Sequence, residues 1–230
     1  MLRSDTITRQ ELCGLFDHTL LKAFATGADF KKLCSEAAEH HFAMVAVNSG
    51  PTALCKDLLA GSGVHVGAAI AFPLGQTTIE AKVFETENAI QNGADEIDYV
   101  INIGALRDGR WDYLREEMES IVRVCRRAGV LSKVIFENCY LTKEEIVRLA
   151  EIARDVEPDF IKTSTGMGTG GATVEDVRLM KETVGGAVKV KAAGGIRDWA
   201  ACKAMIDAGA ERIGTSSALQ ILEEYKKARG

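Results

Sequence analysis

Three charged residues of this sequence lie where apolar residues would be expected. Lys162 follows two apolar residues, Lys191 closes a Val-Lys-Val-Lys run, and Asp98 interrupts an apolar segment. A buried carboxylate is unfavourable unless a cation pairs with it. One such lysine alone is usually a surface residue whose stem lies along the protein, and Asp98 alone could be a structural partner for a lysine. The three together are better explained by a common site.

Two neighbouring lysines are suited to amine chemistry on a carbonyl compound. An amine attacks a carbonyl only when it is unprotonated, and the reference pKa of lysine is about 10.4. A second ammonium nearby, together with removal from water, can lower that pKa by roughly 3 pH units. A lysine in this state forms a Schiff base, and the iminium accepts electrons while an adjacent carbon–carbon bond is made or broken.

Glycine and hydroxyl residues follow the segments that carry these lysines. Backbone amides without side chains, hydroxyl groups and a helix N-terminus together form a phosphate site. Each glycine alone is weak evidence, because glycine occurs in any turn. Their joint placement favours a phosphorylated small substrate. The residues concerned are Gly166, Gly194, Gly195, Ser216 and Ser217.

Eight short apolar segments alternate with longer segments of helical period. The predicted strands are 15–17, 44–47, 64–70, 97–101, 133–136, 160–162, 187–191 and 212–214. Most are apolar on both faces, as the strands of a buried parallel sheet are. Between them, apolar residues recur at helical spacing, and Thr142 and Thr173 begin segments with capping sequences. Gly93 and Gly209 follow predicted helices at positions suited to a left-handed cap.

This alternation predicts a single (β/α)8 TIM barrel that spans residues 1–230 as one domain. Eight units of about 29 residues fit the size of a β-α repeat. A doubly wound open sheet is the competing arrangement of these strands, but no Gly-x-Gly-x-x-Gly follows the first strand. Barrel chemistry lies at the carboxyl ends of the strands, and alternation places Lys189 and Lys191 on one face, predicted to point into the barrel. Lys133 begins its strand and could lie at either end of the barrel.

Composition excludes several classes of function. The 28 Lys and Arg against 33 Asp and Glu give a net charge of −5, so nucleic acid is not an expected partner. No apolar run approaches the ~18 residues that cross a bilayer, and the N-terminus lacks a signal core, so we expect a cytoplasmic protein without a membrane partner. The six cysteines and four histidines lack zinc-site spacing. We expect reduced thiols, no metal and no cofactor.

Seven motifs are spread along the chain. They are KTSTG at 162–166, KAAGGIR at 191–197, DEIDYVINIG at 95–104, DHTLL at 17–21, FPLG at 72–75, KVIFE at 133–137 and GGATVED at 170–176. In sequence and in order along the chain, these motifs resemble those of the deoxyribose-phosphate aldolase family, and the resemblance extends over residues 15–222. The resemblance implies a class I aldolase that reversibly cleaves 2-deoxy-D-ribose 5-phosphate into D-glyceraldehyde 3-phosphate and acetaldehyde. It implies small phosphorylated sugar and aldehyde substrates, no metal, and a homo-oligomer, either a dimer or a tetramer.

The resemblance also implies a role for each matching residue. Lys162 is similar to the Schiff-base lysine, Lys191 to the neighbour that lowers its pKa and transfers protons, and Asp98 to a proton relay that acts through a water. Asp17, Lys133 and Thr165 match positions that line the substrate pocket or support the network, while Gly166, Gly194, Gly195, Ser216 and Ser217 match the phosphate site.

The sequence departs from the family pattern at two places. Ala46 stands where many members have a cysteine, which predicts better resistance to unsaturated aldehydes. Met167 stands where some members have a lysine, so phosphate binding would depend more on backbone amides.

Two other functions are alternatives to the aldolase interpretation. A non-covalent sugar-phosphate isomerase would use Glu137 or His18 as a base, but it leaves the paired lysines unexplained. A catalytically silent sugar-phosphate binder is disfavoured by the presence of Lys162, Lys191 and Asp98 together.

Overall fold

Eight parallel strands form a closed barrel and are paired in the order in which they occur along the chain. The structure is a computed structural model, and it describes residues 3–229. The strands are β1 (Phe16–Leu20), β2 (Met44–Asn48), β3 (His65–Ile70), β4 (Glu96–Val100), β5 (Leu131–Ile135), β6 (Phe160–Lys162), β7 (Lys189–Ala193) and β8 (Arg212–Thr215). All eight predicted strands are present, with ends that differ by at most three residues. The prediction of a (β/α)8 barrel is confirmed.

Helices connect the strands on the outside of the barrel. They are α1 (Arg9–Cys13), α2 (Gly27–His40), α3 (Thr52–Leu58), α4 (Ile79–Gln91), α5 (Ile103–Arg107), α6 (Trp111–Ala128), α7 (Lys143–Val156), α8 (Val174–Val184), α9 (Trp199–Ala208) and α10 (Ala218–Arg229). The capping box at Thr142 is confirmed. Thr173 also caps its helix, although the Asp176 carboxylate pairs with Lys143 at 2.5 Å instead of completing a box. Along residues 3–229, no helix is long and apolar enough to cross a bilayer.

The two faces of the strands differ in character. Outward residues such as Val134, Ile161 and Val190 are fully buried against the helices and form the apolar core. Inward positions of β4 to β8 carry charged side chains, which occupy the middle of the barrel. Gly214 makes room for one of them, because a Cβ at this position would lie 3.2 Å from the Cε atom of Lys191.

Lys189 and Lys191 lie at different depths of the barrel. Lys189 shares a face with Lys191, but it is the first residue of β7 and is exposed. Two residues of a strand span about 6.6 Å, so Lys189 lies at the amino-terminal end of the barrel, away from the mouth. There its ammonium is 5.5 Å from the centre of the Phe160 ring. Of the two lysines on this face, only Lys191 lies within the ion-pair network of the barrel interior.

Candidate active site

Three lysine amines converge on the carboxylate of Asp98 in the barrel interior. Lys133 Nζ lies 2.7 Å from Asp98 Oδ1, while Lys162 Nζ and Lys191 Nζ lie 2.8 Å and 2.6 Å from Oδ2. Sheet register explains this convergence, since Asp98 is paired with Lys133 and Lys162 is paired with Lys191 on adjacent strands. The three residues that the sequence analysis placed at the centre of the chemistry are thus in mutual contact.

The contacts continue below Asp98 into a buried ion-pair network. Asp17 Oδ2 lies 2.5 Å from the ammonium of Lys191, and Asp17 Oδ1 accepts a 2.8 Å hydrogen bond from Arg212 Nε. Glu96 forms ion pairs with both Lys133 and Arg212. Asp17 and Lys133 are fully buried here and do not line the open cavity described below. Of the two alternatives for Lys133, the structure places it within the site, as part of this supporting network.

Glu96 and Arg212 belong to this network although the sequence did not predict them as members. Glu96 could have been found, because it stands two residues before Asp98 and alternation puts both on one strand face. Arg212 begins β8 and resembled an ordinary solvent-facing residue at a strand start. Within residues 3–229, no cluster of His, Cys, Asp and Glu has the arrangement of a metal site.

The network contains more cations than carboxylates when every group is charged. Its buried cations are Lys133, Lys162, Lys191 and Arg212, and its carboxylates are Asp17, Glu96 and Asp98; the half-exposed His65 also contacts Glu96 at 2.8 Å. This surplus of buried positive charge favours the loss of a proton from one of the lysines. Burial, together with the charges of Lys191 and Lys133, lowers the pKa of Lys162 to about 8 despite the opposing attraction of Asp98.

The pKa values of Asp98 and Lys133 shift towards their charged forms. Burial favours the neutral acid at Asp98, but Lys133, Lys162 and Lys191 outweigh it and hold the pKa of Asp98 well below its usual range. Burial likewise opposes the ammonium of Lys133, yet the nearby carboxylates of Asp98 and Glu96 raise its pKa. Lys162 is therefore the member of the network that most readily becomes a free amine near neutral pH.

A cavity of about 590 Å³ opens at the carboxyl end of the barrel, and Lys162 reaches it. The residue is only 4% exposed, so its amine lies at the floor of the cavity. The Phe72 ring is centred 5.6 Å from Lys162 Nζ. Ala46 and Thr165 also line the cavity.

One wall of the cavity presents backbone amides. Gly166, Gly194, Gly195 and Ser216 line it, and within residues 3–229 their amides donate to no protein acceptor. Gly194 must be glycine, since its φ is +88° and an added Cβ would lie 3.0 Å from the Cα of Gly171. Ser217 does not line the cavity, and its amide instead donates to Thr215 Oγ1 at 2.9 Å.

The cavity wall also carries charged side chains that the sequence analysis had not assigned to it. The additional cations are Lys22, Lys32 and Arg197, and the carboxylates are Asp29 and Glu36. Both carboxylates already have partners: Asp29 caps α2 through Thr26, and Glu36 Oε2 lies 2.8 Å from His18 Nε2. Lys32 also lies 3.9 Å from Glu36 Oε1. The wall carries three of these cations against two carboxylates, an excess of positive charge that suits an anionic ligand.

Comparisons with a family model, with known sequences and with solved structures all agree on one family. Residues 13–224 match the model of the DeoC/LacD family aldolases. The chain is 57% identical over 219 residues to the deoxyribose-phosphate aldolase of Lactobacillus acidophilus, covering 95% of this chain and 92% of that protein. It is 54% identical to the enzyme of the same name from Bacteroides thetaiotaomicron, with the same coverage. The deoxyribose phosphate aldolase structure from Aeropyrum pernix, which is tetrameric, superposes with a TM-score of 0.90 at 31% identity, covering 96% of this chain and 93% of that one.

Proposed function

This chain belongs to the DeoC/LacD family of aldolases, and we propose that it reversibly cleaves 2-deoxy-D-ribose 5-phosphate into D-glyceraldehyde 3-phosphate and acetaldehyde through a Schiff base on Lys162. One observation carries the proposal. Lys162 is the network amine that reaches the cavity, and its pKa is lowered to about 8 by burial and by neighbouring lysines. About a tenth of this amine is unprotonated at pH 7, against less than a thousandth for an ordinary lysine.

The reaction begins with attack of the Lys162 amine on the C1 aldehyde of the open-chain sugar. The resulting carbinolamine takes up one proton and loses water, which leaves a protonated iminium. Lys191 is placed to supply that proton, because its ammonium lies 2.6 Å from the same Asp98 oxygen that Lys162 contacts. Asp98 lies between the two amines, and its low pKa means that it holds a proton only while passing it on.

Cleavage follows when the C3 hydroxyl loses its proton to the Asp98–Lys191 pair. The C2–C3 bond then breaks, its electrons neutralise the iminium as an enamine, and glyceraldehyde 3-phosphate leaves. The enamine takes a proton at C2 and becomes an iminium again. Water adds to it, which releases acetaldehyde, one proton and the free amine, so that protons and water balance over the cycle.

The phosphate group of the substrate would bind at the amide wall. The unpartnered amides of Gly166, Gly194, Gly195 and Ser216 are suited to its oxygens. Met167 lines the same wall and is 48% exposed. Because it supplies no charge, we expect recognition of phosphate here to depend on amides and on Arg197, and preference for phosphorylated substrates to be modest.

Trapping with borohydride tests this proposal directly. The protein is incubated with acetaldehyde, reduced, digested and examined by mass spectrometry. We expect an added mass of one reduced two-carbon unit on Lys162. Lys82 is a matched internal control, since it is also a buried lysine but lies outside the cavity. Turnover without any adduct on Lys162 would refute the mechanism.

A further inference from the structure

Glu137 is a buried acid that neither the ion-pair network nor the proposed mechanism uses. It follows β5 and is only 1% exposed. Its backbone has φ 57° and ψ 58°, the left-handed region that favours glycine over side chains. Like His41 and Glu157, it caps a helix, here the 3-10 turn Asn138–Tyr140. Unlike those two exposed residues, Glu137 is buried.

Both oxygens of Glu137 are bound to one residue of the cavity wall. The Thr165 amide donates to Glu137 Oε1 at 3.1 Å, and the Thr165 hydroxyl makes a very short hydrogen bond to Oε2. Gly168 allows this approach, because a Cβ at Gly168 would lie 3.3 Å from the Glu137 carboxyl carbon and 2.9 Å from Cys139 Sγ. The segment after β6 is therefore packed directly on the carboxyl group.

The hydroxyl of Thr165 has a direction that these contacts fix. A hydroxyl has one hydrogen to donate and two lone pairs that accept. The Met167 amide donates to Thr165 Oγ1 at 2.9 Å, and the hydroxyl itself donates to Glu137 Oε2, so its hydrogen points to the carboxyl group. One lone pair remains, and Thr165 lines the cavity beside Lys162.

We infer that Glu137 is a positioning residue which makes Thr165 a hydrogen-bond acceptor towards the cavity, where it receives a hydroxyl hydrogen of the substrate's sugar chain. The inference rests on the proposed function for the identity of that substrate. A hydroxyaldehyde would be held with the hydroxyl oriented, whereas an analogue without a hydroxyl would gain nothing from this contact.

The molecule contains a second turn of the same kind that serves as a control. Thr215, at the end of β8, accepts from the Ser217 amide at 2.9 Å and also lines the cavity. Its hydroxyl donates to the Ile196 carbonyl oxygen at 2.6 Å. The direction of this hydroxyl is set by the main chain, independently of Glu137.

A double-mutant cycle tests the inference. Glu137→Gln is nearly isosteric, but its amide group must donate to Thr165 Oγ1 and turns the hydroxyl hydrogen towards the cavity. We expect kcat/KM for deoxyribose 5-phosphate to fall roughly 10- to 100-fold. Thr165→Val should cause a similar loss, and the double variant should lose little more than the worse single variant. With Thr215→Val, the effect of Glu137→Gln should instead multiply.

Borohydride trapping with acetaldehyde supplies a second readout. Acetaldehyde has no hydroxyl, so Glu137→Gln should form its adduct on Lys162 as the wild type does. Multiplying losses with Thr165→Val, or unchanged turnover of Glu137→Gln, would overturn the inference while leaving the Schiff base intact. Failure of the wild type to be trapped would instead refute the proposed function. If Glu137→Gln does not fold, Glu137→Gly removes the carboxylate at a backbone conformation that glycine adopts readily, and the same two outcomes apply.

Discussion

Lys162 and Lys82 are both buried lysines with a carboxylate partner, and only one of them is placed to react. Lys82 lies between α4 and α6, where its Nζ is 2.6 Å from Glu117 Oε1 and 2.7 Å from the Val100 carbonyl oxygen. Neither Lys82 nor Glu117 is exposed at all. Burial lowers the pKa of Lys82 and raises that of Glu117, so a shifted pKa alone does not mark a reactive lysine.

Lys162 differs from Lys82 in two respects other than burial. Its network has one more cation than carboxylates, which favours a neutral amine, whereas Lys82 and Glu117 balance one to one. Its amine also reaches a cavity of about 590 Å³, whereas the Lys82 ammonium is enclosed by Glu117 and a carbonyl oxygen. We therefore expect an accessible amine within a surplus of positive charge to act as a nucleophile, and an enclosed pair such as Lys82 and Glu117 to contribute to the fold.

Replacing Lys162 should have the largest effect on activity. Lys162→Met should lower kcat/KM for deoxyribose 5-phosphate by about 10⁴-fold or more, because no other amine of the network reaches the cavity. Its melting temperature should stay near that of the wild type, since Asp98 keeps Lys133 and Lys191 as partners. Steady-state kinetics and thermal unfolding check both parts. Residual activity of a few per cent would show that another group does the chemistry.

Lys82→Met should instead lower stability strongly and change activity little. Glu117 would be left as a buried charge without a partner, which costs about 3–5 kcal/mol of unfolding free energy. The double variant Lys82→Met/Glu117→Leu should recover part of that loss, because an apolar pair has no charge to desolvate. Denaturant unfolding measures both, and kcat/KM of the folded protein should change by less than about tenfold. Equal losses in stability for the single and double variants would contradict this account of the pair.

Much of the barrel could be predicted from the sequence because its strands are apolar on both faces. Segments such as 160–162 match the structure without any shift. The extra short helices α1 and α5 were not predicted, because five residues are too few for a periodic pattern. Alternation gave the face of Lys189 but not its depth in the barrel, because depth depends on strand register, which becomes visible only when the sheet is closed.

The same limit explains how much of the site could be predicted. Lys162, Lys191 and Asp98 stood out because each interrupts apolar sequence, and the structure brings them into contact. The pairing of Arg212 with Asp17 joins residues 195 positions apart, and no local pattern encodes it. Glu137 was noted only as a candidate base, because its link to Thr165 depends on a left-handed backbone conformation that the sequence does not reveal.

Lys191→Leu tests the surplus of charge, with a smaller expected effect. Three carboxylates then face three cations, so Lys162 stays protonated to higher pH. In the wild type, kcat/KM should rise with pH and level off near 8, the pKa of Lys162. In the variant this rise should move to higher pH, with a loss at pH 7 of about 10²- to 10³-fold and partial recovery at alkaline pH. An unmoved pH profile would remove Lys191 from the control of the Lys162 pKa.

Ala46→Cys tests the difference in access between the two regions and should have the smallest effect on turnover. Ala46 lines the cavity with Lys162, so a thiol there would meet unsaturated aldehydes, whose carbon–carbon double bond adds the sulfur and its proton. We expect the half-life in crotonaldehyde to fall several-fold while initial kcat/KM stays within about threefold of the wild type. Cys125 is the matched thiol on the enclosed side: it is 1% exposed, and burial raises its pKa to about 12. Mass spectrometry should find the adduct on the new cysteine and none on Cys125. Equal modification of both, or an unchanged half-life, would mean that the cavity and the buried face of α6 do not differ in access as the structure indicates.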